Sequence, residues 1–132
     1  MNTKILMITS ALFMAVLGAA VSFFPQEIVA HFGGNPDGFG TLVIQCTGAL
    51  YFGFAMLNWM ARSNLIGGIY SRPVTAGNLL HFLMGAIVLL KAAFSGRTGL
   101  SILVGAAAYS IFAGAFGPVV FGDPIQEDTS NS

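Results

Sequence analysis

Imidazole is the side chain of widest chemical reach near neutral pH, because it can bind a metal, carry a proton or bridge two hydrogen-bonding groups. The chain has two, His31 and His81, and each has polar company. In GNLLHFLMGAIVLLK (77–91), Asn78 precedes His81 by three residues, so the two share one helical face. In FPQEIVAHFGGNPDGFG (24–40), Glu27 precedes His31 by four residues, again on one face of a short helix. A metal at Glu27 and His31 needs further ligands, and Asp37 is the nearest candidate. A salt bridge or capping contact between Glu27 and His31 is therefore the expectation, and no metal or other cofactor is expected.

Other chemistries lose ground on residue placement. His31 lies at a loop and His81 inside an apolar run toward the opposite side, so they do not ligate one haem iron from its two faces. No Asp or Glu falls within the long apolar runs, whereas a proton-coupled transporter usually needs such a carboxylate. No nucleophile–base pair stands at a recognisable spacing, and no phosphate-binding loop is present. No motif recurs to suggest inverted repeats. The single cysteine, Cys46, excludes an intramolecular disulfide or a cysteine metal cluster, and reads as a small buried hydrophobe.

The elements that position these residues follow from composition. Of 132 residues, 55% are hydrophobic and 8% charged, with a mean hydropathy of +0.80. Soluble domains carry about 25% charged residues, so this chain has too few to cover a water-facing surface. Net charge is zero and no basic run occurs, which argues against nucleic acid as a partner. A membrane-crossing helix needs about 20 mostly apolar residues. Four runs meet that length, at about 5–23, 41–60, 74–93 and 100–121, followed by a polar acidic tail over 122–132. Short connections make consecutive helices antiparallel neighbours. The expected fold is all-α, an integral membrane antiparallel four-helix bundle in a single domain. A signal peptide is the alternative for the first run, given Lys4 and the small residues of Gly18 to Ser22, but its apolar stretch is longer than a typical signal core.

Between the first two runs, Pro25 suits a first helical position and Gly33-Gly34 a stop. Ile28, Val29 and Phe32 give this segment an apolar side, so it reads as a short interfacial helix. Lys4, Arg62 and Arg72 fall on one side of the membrane and Lys91 and Arg97 on the other. The positive-inside rule then favours both termini in the cytoplasm of a bacterial-type inner membrane.

Small residues dominate one stripe of the first span (Ala11, Ala15, Gly18, Ser22) and one of the fourth (Ala106, Ser110, Ala113, Gly117), as expected of backbone-contact faces in lipid. Pro118 reads as a kink or early stop in the fourth. The middle spans carry polar stripes: Thr47, Tyr51, Ala55, Asn58 and Arg62 on the second, Asn78, His81 and Gly85 on the third. Polar groups in spans turn toward the protein interior or a water-filled cavity. The two stripes are then expected to face each other or a shared cavity, and two readings of Tyr51, Asn58, Arg62, Asn78 and His81 follow: hydrogen-bonding pegs between the second and third spans, or a polar vestibule between those two spans, entered from the side of Arg62 and Arg72.

At GALYFGFAMLNWMARSNLIGGIYSRPV (48–74) the chain resembles small bacterial four-helix membrane proteins of the DoxX-like group and neighbouring families of unknown function. The likeness lies in size, in FPQEIVAHFG after the first span, and in the Gly-rich, Arg-flanked second span. It covers the whole chain as architecture. Some DoxX-type members look like accessory subunits of respiratory or redox complexes, and the resemblance implies such a role here. The group has no agreed catalytic motif, so no catalytic residue is carried over. The expectation is a non-enzymatic accessory or assembly subunit in the lipid bilayer, working as a homo-oligomer or with another membrane protein. The alternatives are a small-molecule or ion channel built on the vestibule, and a membrane enzyme acting on a lipid or quinone with His81 as acid or base.

Overall fold

A computed structural model describes residues 3–63 and 72–122. Within them every regular element is a helix: α1 (Thr3–Phe23), α2 (Pro25–His31), α3 (Phe39–Ala61), α4 (Arg72–Phe94) and α5 (Leu100–Phe121). Four of these are long and apolar enough to cross a membrane, with α2 as a short helix between the first two. The all-helical class expected from the apolar run lengths is the one found. Lipid offers no partner for backbone N–H and C=O groups, so a spanning segment must satisfy them internally, as a helix does. The acidic tail beyond Gly122, and the NLIGGIYS stretch (64–71) on which part of the expected resemblance rests, lie outside the described residues.

The helix ends obey local rules. At the end of α2, Gly33 takes φ +78°, its N–H bonds to the Ala30 carbonyl, and the Gly34 N–H reaches back to Val29. At the end of α4, Gly96 takes φ +98°, its N–H bonds to Ala93, and the Arg97 N–H reaches back to Ala92. Both are Schellman closures, which need a residue in the left-handed region and so select glycine. Before α3, Asn35 Oδ1 accepts from the Asp37 N–H at 3.1 Å, and Thr41 Oγ1 donates to the Pro36 carbonyl at 2.7 Å. Pro118 lies within α5, which continues to Phe121, and its carbonyl accepts the Gly122 N–H at 2.7 Å. The proline near this helix end therefore does not stop it early.

The chain divides into two compact units, Met1–Ser63 and Asn64–Ser132. In the first, α1 and α3 pack antiparallel. Asn58 near the end of α3 meets Ser10 near the start of α1, while Gln45 Nε2 near the start of α3 reaches the Ser22 carbonyl near the end of α1 at 3.2 Å. At Gly18 and Gly48 the two helix backbones leave little room for a side chain. A Cβ at Gly18 would lie 3.2 Å from the Gly48 carbonyl oxygen, and one at Gly48 would lie 3.1 Å from that of Gly18. The small-residue stripe of the first span is thus a backbone-contact face at Gly18, and Ala11 beside it is buried. In the second unit α4 and α5 are also antiparallel. Phe82 stacks on Phe112 and Phe116, with ring centroids 4.7 and 5.8 Å apart. Ala106, Tyr109, Ala113 and Phe116 form the buried side of α5.

One expectation is corrected. Cys46 is exposed on α3 rather than buried. A span has two apolar surroundings, protein and lipid, so the hydrophobicity of a side chain does not by itself choose between them. The α1-facing register of α3 is set instead by Thr41, Gly48, Ala55 and Asn58, which are buried, and Cys46 lies off that line.

Candidate functional site within the spanning helices

The polar side chains of the spans are the candidate site, and each helix pair holds its own set. Asn58 is 0% exposed. Its Nδ2 donates to Ser10 Oγ at 3.0 Å, and Ser10 Oγ donates to the Met7 carbonyl at 3.0 Å. An amide on α3 is thus tied through a serine hydroxyl to a backbone acceptor on α1. Tyr51 lies seven residues before Asn58 on the same side of α3 and is half-buried. Arg62 closes the end of α3. It donates to the Trp59 carbonyl and lays its guanidinium 4.0 Å from the centroid of the Trp59 ring. This places a cation and an amphipathic aromatic together at a span end, a usual arrangement at the membrane–water boundary.

In the second unit the α4 register runs Thr75, Asn78, Phe82 and Ala86, all buried. Asn78 Nδ2 donates to the Val74 carbonyl at 2.8 Å, and Thr75 Oγ1 donates to the Arg72 carbonyl at 3.0 Å. His81 is half-buried and reaches α5, where its Nε2 stands 3.3 Å from the Tyr109 hydroxyl. The two rings are tilted at 50° with centroids 5.4 Å apart. Phe82 packs edge-on to both, at 5.1 Å from His81 and 5.3 Å from Tyr109. The Tyr109 ring occupies the space a side chain at position 85 would need, so Gly85 is what lets the phenol lie against α4.

Tyr51, Asn58 and Arg62 therefore belong to one helix pair, Asn78 and His81 to the other. Ser10 and Tyr109 are the partners that the sequence reading did not single out. For Ser10 a signal existed, because antiparallel pairing of α1 and α3 puts its level opposite Asn58. Tyr109 is the only tyrosine of its span, in a Gly- and Ala-rich setting. The small-residue stripe of this span runs through its neighbour Ser110 and leaves Tyr109 off it. Chemically, His81 and Tyr109 can share a proton along their hydrogen bond or offer one to a ligand. Asn58 and Ser10 hold no group that titrates near neutrality. No buried side-chain nitrogen or oxygen among the described residues lacks a partner.

Outside the spans, Glu27 and His31 are both exposed on α2, and the His31 ring packs edge-on to Phe32 at 5.1 Å. Among the described residues no three His, Cys, Asp or Glu side chains gather as a metal site would require. No family model matches the chain, and neither does any curated protein or solved structure.

Proposed function

We propose that this integral membrane protein is a non-enzymatic accessory or assembly subunit, working as an oligomer or bound to another protein of a bacterial-type inner membrane. Both termini would face the cytoplasm, with Lys4, Arg62 and Arg72 on that side. The supporting observation is a second small-residue line on α3, separate from the one that meets α1. Cys46, Ala49 and Gly53 are exposed along it, and a Cβ at Gly53 would meet nothing within 4 Å. Glycine within a helix costs about 1 kcal/mol relative to alanine, and within the α1–α3 unit no described residue stands close enough to account for it at position 53. In lipid, small residues are where helices of different chains approach closely.

The mass of the detergent-extracted protein tests this reading. A homo-oligomer or a co-purifying membrane protein is expected. Gly53→Leu should shift the population toward the monomer while leaving thermal stability unchanged. A wild-type protein that is strictly monomeric and carries no partner would sink the proposal.

A second reading draws on the His81–Tyr109 hydrogen bond: a polar site in the membrane that passes a small anion, or acts on a lipid or quinone. The two readings separate at His81→Leu. A structural peg of this kind contributes about 0.6 kcal/mol in membrane proteins. The accessory reading therefore expects a small loss of thermal stability from His81→Leu and a similar one from Tyr109→Phe. It also expects proteoliposomes of the wild type to leak chloride no faster than empty vesicles. Chloride flux in the wild type that His81→Leu abolishes, with the fold intact, would overturn the peg and establish the vestibule.

A further inference from the structure

The short helix α2 has three faces. Pro25 and Val29, four residues apart, are its buried side. Gln26, Glu27, Ala30 and His31 are exposed and mostly polar. Phe24, Ile28 and Phe32 form the remaining side. The Ile28 N–H bonds to the Phe24 carbonyl at 3.1 Å and the Phe32 N–H to the Ile28 carbonyl at 3.2 Å, so helical register runs through all three. This side is apolar, yet Phe24 is 58% and Phe32 56% exposed, with Ile28 between them half-buried. The sequence pattern grouped Val29 with Ile28 and Phe32 as one apolar side; the structure divides that side into a protein-facing and an outward-facing part.

The position of α2 indicates what covers the outward part. The Phe24 N–H bonds to the Ala20 carbonyl at 2.9 Å, so the hydrogen bonding of the spanning helix α1 continues up to the first residue of this face. Phe23 at the end of α1 and Phe39 at the start of α3 are exposed as well, so apolar side chains stand open at both span ends that flank α2. Residues 23–40 contain Glu27 and Asp37 but no Lys or Arg, so nothing here attracts anionic headgroups.

We infer that α2 is a membrane-surface helix that sets the depth of the α1–α3 pair. Phe24, Ile28 and Phe32 enter the boundary between headgroups and acyl chains, and Glu27 and His31 stay in water. Its partner is the lipid leaflet itself, recognised through apolar insertion rather than charge. This requires only that α1 and α3 span the bilayer, and it is independent of whether the chain is an accessory subunit.

The test places a nitroxide label at single cysteines, Glu27→Cys, Ile28→Cys, His31→Cys and Phe32→Cys, each in a Cys46→Ala background. The full chain is reconstituted in phosphatidylcholine vesicles with and without phosphatidylglycerol. Labels at positions 28 and 32 are expected to collide several-fold more readily with oxygen than with a water-soluble nickel chelate, and those at 27 and 31 the reverse. Phosphatidylglycerol should leave all four unchanged. Phe32→Trp with Trp59→Phe provides a milder probe, whose fluorescence brominated acyl chains should quench. The inference is overturned if positions 28 and 32 are as open to the chelate as 27 and 31, which would put α2 in water. It is equally overturned if 28 and 32 are shielded from both reagents, which would mean that protein covers the face, or if the pattern forms only with phosphatidylglycerol.

Discussion

Gly48→Leu is expected to unseat α3 from α1 and to cost the first helix pair most of its stability. A Cβ at position 48 collides with the Ser22 hydroxyl, and it also stands 3.0 Å from Val21 Cγ2 and 3.1 Å from the Gly18 carbonyl oxygen. The hydroxyl can rotate away. The Gly18 carbonyl is backbone within a helix and moves only if α1 itself moves. Overpacking of this kind costs about 1–3 kcal/mol in well-packed interiors, and leucine carries three more carbons into the same gap. Alanine, which needs the Ser22 rotation, a slight yielding of Val21 and a shift of a few tenths of an ångström at the Gly18 carbonyl, should fall at the low end of that range. Separation of the helices would also lengthen the Asn58–Ser10 hydrogen bond, leaving a buried amide without its partner. The control is Gly53→Leu, five residues on along the same helix, where nothing stands within 4 Å. Thermal unfolding in detergent should rank wild type and Gly53→Leu together, Gly48→Ala below them and Gly48→Leu far below. A Gly48→Leu protein that melts with the wild type would show that the Gly18–Gly48 approach does not hold this pair together.

The contrast between Gly48 and Gly53 also marks what a sequence of this kind discloses. The spans were readable because lipid leaves a crossing segment one common solution, a helix of fixed minimum length. The run read at about 41–60 is the helix Phe39–Ala61, and that at 74–93 is Arg72–Phe94. The Gly33-Gly34 stop was readable for a similar reason, since few residues other than glycine tolerate the conformation a Schellman closure needs. The rotation of each helix about its axis was less legible. In water, an amphipathic pattern announces which side faces the core, but in lipid both sides are apolar. Hydrophobicity alone puts Cys46 inside, and it lies outside. Asn58 and His81 are legible as inward-turned polar groups, whereas Tyr109 is not, and Ser10 only through the antiparallel pairing that sets it level with Asn58. A hydroxyl can satisfy itself on its own helix backbone, as Thr9 does on the Ile5 carbonyl and Thr47 on that of Val43. A serine or threonine in a span therefore carries no sign of its own that it reaches across.

The second large effect should appear at Gly85, and its signature is that a second mutation cures it. The Tyr109 ring lies across the position a Cβ of residue 85 would take, and a phenol ring is flat and rigid, so it cannot bend aside as a lysine or methionine would. Its freedom is further limited by Phe82, 5.3 Å away, which stacks in turn on Phe112 and Phe116. Gly85→Leu therefore either expels the ring, breaking the hydrogen bond to His81, or pushes α4 and α5 apart along the aromatic stack. Overpacking again sets the scale at about 1–3 kcal/mol. Tyr109→Ala alone empties a buried site and should destabilise by about 3 kcal/mol or more, as large aromatic truncations do. In the double variant the leucine fills the space the phenol has left, so the two losses should not add. Neighbouring residues that share one space show coupling of about 0.5–3 kcal/mol, and the upper half of that range is expected here. The cycle is read from thermal or denaturant unfolding of the four proteins in detergent. Losses that simply sum in the double variant would mean that Tyr109 does not occupy the Gly85 notch, and that the contact bringing His81 to its hydroxyl is formed in some other way.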